Sequence, residues 1–261
     1  MKFFLALRFL TTIRLPGMPE DIDPVQLGRS TGYFPLVGLL LGLILAFLSL
    51  TLVYVLPQSV VNALLIMFLV VLTGGMHIDG FIDTCDGIGG QKPVAERWRI
   101  MHEGRVGAFG VAGAILVLLV KYAALNSLPD FGLVPALIIT PVVSRWAMVY
   151  ALFAYPYARP MGMGKVFKEE TRWPGFLVAT GLTIALSMLV LDLAEVRFFY
   201  LHALAIMLVV LLVVALTANY LKQKFAGLTG DCYGAINEVS EAFVLLLFSL
   251  LTYNYWFDYL F

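Results

Sequence analysis

The sequence predicts an all-α polytopic membrane protein: about seven transmembrane helices, preceded by an N-terminal amphipathic helix lying in the membrane interface. Two observations predict it. The 261 residues are 61% hydrophobic and only 13% charged, with a mean hydropathy of +0.92, whereas a soluble domain is about half apolar and about a quarter charged. The apolar residues also fall into runs near the roughly 20 residues that cross a bilayer. Formal net charge is zero, which gives no bulk case for nucleic acid as a partner and leaves membrane lipid as the expected surrounding. A single membrane domain over 1–261 follows, with an interfacial segment 1–32 and a bundle over 33–257. No internal repeat, low-complexity linker or second soluble domain interrupts it.

Taken in order, residues 1–16 begin like a signal peptide, but Arg8 and Arg14 break the apolar run and no small-residue cleavage site follows. An interfacial helix fits better, with Phe3, Phe4, Leu7, Leu10 and Ile13 inward and Arg8 and Thr11 toward water. A polar, turn-rich loop follows over 16–24. Spans are predicted at 33–56, 58–76, 108–126, 131–155, 174–192, 198–219 and 239–257, the second marginal in length unless it runs on into the acidic motif behind it. Alternate segments (1–32, 77–107, 156–173 and 220–238) hold 14 of the 17 Lys and Arg residues. By the positive-inside rule the N-terminus and these loops face the cytoplasm of a cell (inner) membrane, and the C-terminus lies outside. Cys85 and Cys232 fall on the cytoplasmic side and form no CxxC pair, so a disulfide is not expected.

The stretch Gly74-Gly75-Met76-His77-Ile78-Asp79-Gly80-Phe81-Ile82-Asp83-Thr84-Cys85-Asp86-Gly87 follows directly on the second apolar run. Ionisable groups at that depth are costly without a partner and are functional candidates. If the helix continues through the motif, Asp79, Asp83 and Asp86 fall within an arc of roughly 60°. Three acids on one face repel one another unless a cation sits among them, and hard oxygen ligands suit Mg²⁺ or Mn²⁺, completed by substrate phosphates. The plainer reading is a solvated polar loop.

Three further constellations lie on the same side. Arg97, Arg99, His102, Glu103 and Arg105 precede Gly107 and Gly110 at the start of the third span, where a helix start with arginine beside it suits phosphate. Glu103 is a further ligand or the partner of Arg105; for Arg97 and Arg99 the rival is a basic membrane flank. Arg145, inside the fourth span, needs an anionic partner, either the carboxylate cluster, a substrate phosphate or a structural carboxylate. Arg159 and Lys165 follow in a loop with Gly162 and Gly164. Asp231 stands between glycines at the opening of the seventh span, ahead of Asn237, Glu238 and Glu241; the two glutamates also suit a helix N-terminus. His77, His102 and His202 lack zinc spacing. His77 lies about 160° round the helix from Asp79 and is more often a structural residue, yet it borders the motif and is kept with the substrate-binding candidates. The chemistry expected is a metal-dependent reaction on a phosphorylated substrate, with basic side chains clamping phosphates.

These motifs resemble those of the cobalamin synthase family, the adenosylcobinamide-GDP ribazoletransferases. The resemblance rests on Gly74-Gly75-Met76-His77-Ile78-Asp79-Gly80 through Asp86-Gly87, on Met101-His102-Glu103-Gly104-Arg105-Val106-Gly107, and on Ser144-Arg145-Trp146. Tyr157-Ala158-Arg159 with Gly162 and Gly164, Thr229-Gly230-Asp231 with Gly234-Ala235 and Glu238, and the early Phe34-Pro35-Leu36-Val37-Gly38 extend it over nearly the whole chain. The resemblance implies attack of a ribose hydroxyl of α-ribazole, or of its 5′-phosphate, on the cobinamide-linked phosphate of adenosylcobinamide-GDP. GMP leaves and adenosylcobalamin or its 5′-phosphate forms, with Mg²⁺ as cofactor. On that reading Asp79, Asp83 and Asp86 are metal ligands, and one of them or Glu103 accepts the hydroxyl proton. Arg105, Arg145 and Arg159 hold phosphates, with Asp231 and His77 as further substrate contacts. Assembly as a homo-oligomer, or with other enzymes of corrinoid synthesis, is compatible with it.

Two other readings remain. A lipid head-group phosphotransferase of the CDP-alcohol type would use a similar acidic cluster, but its DxxDGxxAR pattern is absent. A cation-coupled transporter would place the acids near mid-membrane with access from both sides.

Overall fold

A computed structural model describes residues 1–14, 23–90 and 92–258, with side chains through residue 253. Most of the polar loop expected over 16–24 lies outside the described residues. Twelve α-helices form among them: α1 Lys2–Leu10, α2 Pro24–Gly28, α3 Phe34–Leu52, α4 Gln58–Leu72, α5 Met76–Ile88, α6 Val94–Ile100, α7 Ala108–Ser127, α8 Asp130–Ala154, α9 Met163–Glu170, α10 Trp173–Leu193, α11 Phe199–Phe225 and α12 Gly230–Asp258. A 3₁₀ turn, Thr31–Tyr33, leads into α3. Among the described residues six helices are long and apolar enough to cross a membrane, and a seventh span counts if α4 and α5 are taken together. The chain is a polytopic all-α membrane protein.

α8 is the central helix. It is buried on nearly every face, whereas α7, α10 and α11 present rows of exposed leucines such as Leu116, Leu119, Leu208, Leu212 and Leu216. A helix apolar all round belongs inside a bundle, and one with an exposed apolar flank belongs against lipid. α3 lies along α8 through Gly38 and Gly42, a small-xxx-small pair that brings backbones together. A Cβ on Gly42 would stand 2.6 Å from Ile138 Cα, and one on Gly38 would run into the Pro141 carbonyl.

The second span differs from expectation. α4 does not run on into the acidic motif, which forms a helix of its own, α5. Gly74 and Gly75 take left-handed φ of 63° and 72°, which glycine adopts without a steric penalty. Their N–H groups donate back to Val71 O (3.0 Å) and Val70 O (2.9 Å), closing α4 in a Schellman motif. The chain then turns by 89° into α5. α4 is left with 15 residues, about 22 Å of helix, short for a bilayer core. α5 crosses the first turns of α7 and α12 and is not by itself one of the six helices of membrane-crossing length.

α1 differs in its contacts. Leu5, Ala6, Leu7 and Leu10 are buried, while Phe4 is exposed. Phe9 stacks in a cluster with Phe34 and Phe167, at 6.3 and 4.5 Å between ring centroids. Thr11, expected to face water, is buried and donates to Leu7 O. The helix therefore docks on α3 and α9, and Thr12 N–H beyond it caps the Leu72 carbonyl of α4 at 2.8 Å.

Candidate active site

The site is built around α5. Gly80 allows the close crossing of α12: a Cβ there would sit 2.8 Å from the Asp231 carbonyl oxygen. Asp83 and Asp79 lie on the exposed side of α5, with Asp83 partly covered. Partial burial pushes the Asp83 carboxyl up to about 6, helped by the negative charges of Asp79, Asp231 and Asp86 and opposed by Arg159. Asp83 therefore lies within the fields of three other acids and of this arginine.

Arg159 reaches the cluster from the loop after α8. Its Nη2 stands 3.3 Å from Asp231 Oδ2, and its Nη1 is 3.3 Å from both ring nitrogens of His102. Asp231 also accepts from Thr229 Oγ1 at 3.3 Å. The loop is clipped in place by paired backbone bonds, Ala158 N–H to Leu228 O (2.8 Å) and Leu228 N–H to Pro156 O (2.9 Å). The structure thus brings together Asp79, Asp83, Asp231, Arg159 and His102, which the sequence scatters over 150 positions.

Asp86 goes elsewhere. Its two carboxylate oxygens accept from Gly107 N–H (2.7 Å) and Gly110 N–H (2.8 Å), at the start of α7. That is a helix-capping role, and both oxygens are engaged. The three-aspartate shell expected from the i, i+4, i+7 spacing is not preformed: among the described residues no three His, Cys, Asp or Glu side chains stand together as a metal site. The motif's spacing survives, but α5 lies between α7 and α12, and its last aspartate is drawn to the free N–H groups of α7.

Arg145 is not brought to this cluster either. It is fully buried in the bundle and pairs with Glu241. Glu241 and Glu238 also accept from Lys121 Nζ, both at 2.6 Å. Asn237 and Ser144 also donate to Glu241, and His77 is buried nearby; Arg145 Nε and Nη2, Asn237 Oδ1 and His77 Nε2 have no hydrogen-bond partner among the described residues. The helix-terminus reading of Glu238 and Glu241 gives way to this buried network, because charges of both signs in adjoining spans neutralise one another. Lys121 was the signal: a lysine inside an apolar run requires an acid on a neighbouring helix.

Glu103 is exposed and lies 3.4 Å from Arg99, not Arg105. Arg97 holds the C-terminal end of α5, donating to the carbonyls of Gly87, Ile88, Gly90 and Lys92. Arg105 is exposed two residues before Gly107, beside the capped end of α7, and has no ion-pair partner among the described residues. Lys165 donates to the Pro160 carbonyl. Cys85 and Cys232 are both free thiols.

Fold and site together define a polytopic membrane protein with acids and cations gathered at one end of its bundle, an arrangement suited to a polyanionic substrate. The chain belongs to the cobalamin-5-phosphate synthase family, whose model matches residues 2–249. It is similar to the adenosylcobinamide-GDP ribazoletransferases of Desulfitobacterium hafniense (39% identity, covering 94% of this chain and 95% of the relative) and Desulforamulus reducens (36%, 94% and 95%). That of Syntrophobacter fumaroxidans is 37% identical over 93% and 96%. No solved structure matches significantly. The chain is therefore an enzyme, a membrane transferase of cobalamin biosynthesis.

Proposed function

We propose that the enzyme joins adenosylcobinamide-GDP to α-ribazole or its 5′-phosphate. The ribose hydroxyl oxygen forms a bond to the cobinamide-linked phosphorus, the bond to GMP breaks, and the hydroxyl proton passes to a carboxylate. Adenosylcobalamin or its 5′-phosphate is the product. The observation that carries this reading is the convergence of Asp79, Asp83, Asp231 and Arg159 at one end of a bundle whose family relatives bear that activity in their names.

The donor set fits Mg²⁺, or Mn²⁺ in its place, in a particular way. Asp79 and Asp83 would supply hard oxygen ligands, and, with no three-acid metal site among the described residues, substrate phosphates would complete the shell, the usual habit of Mg²⁺. When bound, such an ion neutralises charge on the diphosphate. Arg159, oriented by Asp231, holds a phosphate oxygen beside His102; Arg105 is exposed at the same rim. Asp83, the less exposed of the pair, takes the hydroxyl proton. Arg145 and Asp86 act through the scaffold, fixing α12 against α8 and α5 against α7. On the lysine and arginine distribution this end faces the cytoplasm of the cell membrane.

The test is purified protein in nanodiscs with adenosylcobinamide-GDP and α-ribazole phosphate, followed by GMP release. Release that depends on Mg²⁺ and on both substrates is expected. No release under these conditions contradicts the proposal.

A further inference from the structure

A second cavity, of about 300 Å³, opens between α1, the 3₁₀ turn, the end of α9 and the start of α10. It contains none of the residues assigned above. Lys2, Arg29 and Arg172 line it, against a single carboxylate, Glu170. Glu170 is already paired with Arg29 Nε at 2.7 Å. Lys2 and Arg172 have no ion-pair partner among the described residues. Among the described residues the lining thus carries one ion pair, whose Arg29 also feels the charge of Asp23, and two further cations with no ion-pair partner.

Its other wall is apolar. Val178 on α10 both lines the cavity and is 44% exposed on the outer flank of the bundle, next to the exposed Leu177. Trp173, at the start of the same helix, is also exposed, as aromatic residues at a membrane–water boundary are. A cationic chamber at the boundary therefore continues onto a surface that faces acyl chains.

We propose that this cavity binds the head group of an acidic phospholipid, its phosphate between Lys2 and Arg172 and its chains running along α10 past Val178. A free phosphate would use the cations but not the apolar wall, and a zwitterionic lipid would use the wall but bring no net charge. Attraction between a juxtamembrane basic cluster and anionic lipid is the physical basis. The lipid would brace α9 through Glu170, whose Cβ lies 2.8 Å from where a Cβ on Gly28 would stand, and so fix the ion pair that ties α9 to the N-terminal segment.

The purified protein in detergent is offered dioctanoyl phosphatidylglycerol, dioctanoyl phosphatidylcholine or inorganic phosphate. Binding is read by native mass spectrometry and by the thermal unfolding midpoint. Phosphatidylglycerol is expected to form an adduct and raise the midpoint, and the other two to do neither. A Lys2→Gln/Arg172→Gln double variant, altered only at exposed side chains, is expected to bind it about fivefold more weakly for each cation lost, with its lipid-free midpoint unchanged. Arg172→Lys is expected to retain binding. Equal binding of the zwitterionic lipid, an equal shift from inorganic phosphate, or undiminished binding by the double variant would overturn the proposal. Should the double variant misfold, the comparison of the two lipids on the wild-type protein decides.

Discussion

At the scale of single residues, chemistry is assigned by which neighbours a side chain reaches. Asp83 and Asp86 are three positions apart on one helix, yet one stands among other carboxylates and the other caps α7 with two backbone bonds. Arg159 and Arg145 make the same contrast. Arg159 sits in a loop beside Asp231 and His102, with its Nε unpartnered, while Arg145 is sealed in the bundle. Replacing Arg159 by Ala is therefore expected to slow GMP release by about 10²–10³-fold, the cost of losing one preorganised donor to a reacting phosphate. Its unfolding midpoint should stay close to wild type. A variant with normal turnover would remove Arg159 from the site.

At the scale of elements, the sequence shows the spans and hides the turn between two of them. Predicted and observed bounds agree to within about two residues for α7, α8 and α10, because apolar runs end where polar residues begin. α11 and α12 run longer, to Phe225 and from Gly230, because helices extend beyond the bilayer with polar residues on them. The α4–α5 bend was not legible: hydropathy reports depth but not direction, and Gly74-Gly75 reads equally well as flexible helix or as a left-handed stop. The candidate acids themselves were legible because they stand out against an apolar chain. Their partners were not, because Lys121, Arg145, Glu238 and Glu241 meet only when α7, α8 and α12 pack. Breaking a buried pair leaves an uncompensated charge at a cost of about 3–5 kcal/mol. Glu241→Gln, which takes from Arg145 its carboxylate and leaves Lys121 with Glu238 alone, is expected to lower stability by that order in chemical unfolding in detergent. An unchanged midpoint would show that the network contributes nothing to folding.

At the scale of the molecule, the architecture separates a rigid interior from a polar end. α8 forms the interior, and α3 is held against it at close range by Gly38 and Gly42. Gly42→Leu is expected to force them apart and abolish recovery of folded protein, judged by size-exclusion profile in detergent, since overpacking a backbone contact leaves no side chain to give way. A normal profile would show that α3 can shift along α8. The polar end is carried by α5, which is packed between α7 and α12, with Asp79 exposed and Asp83 half-buried.

The central claim is that the Asp83 carboxylate takes part in the transfer. The direct measurement is the rate of GMP release by Asp83→Asn in nanodiscs, beside wild type, with the unfolding midpoint of each. A fall of at least about 10²-fold, the contribution typical of a positioned acid or base, with an unchanged midpoint, is the predicted result. Wild-type release by the folded variant would contradict it.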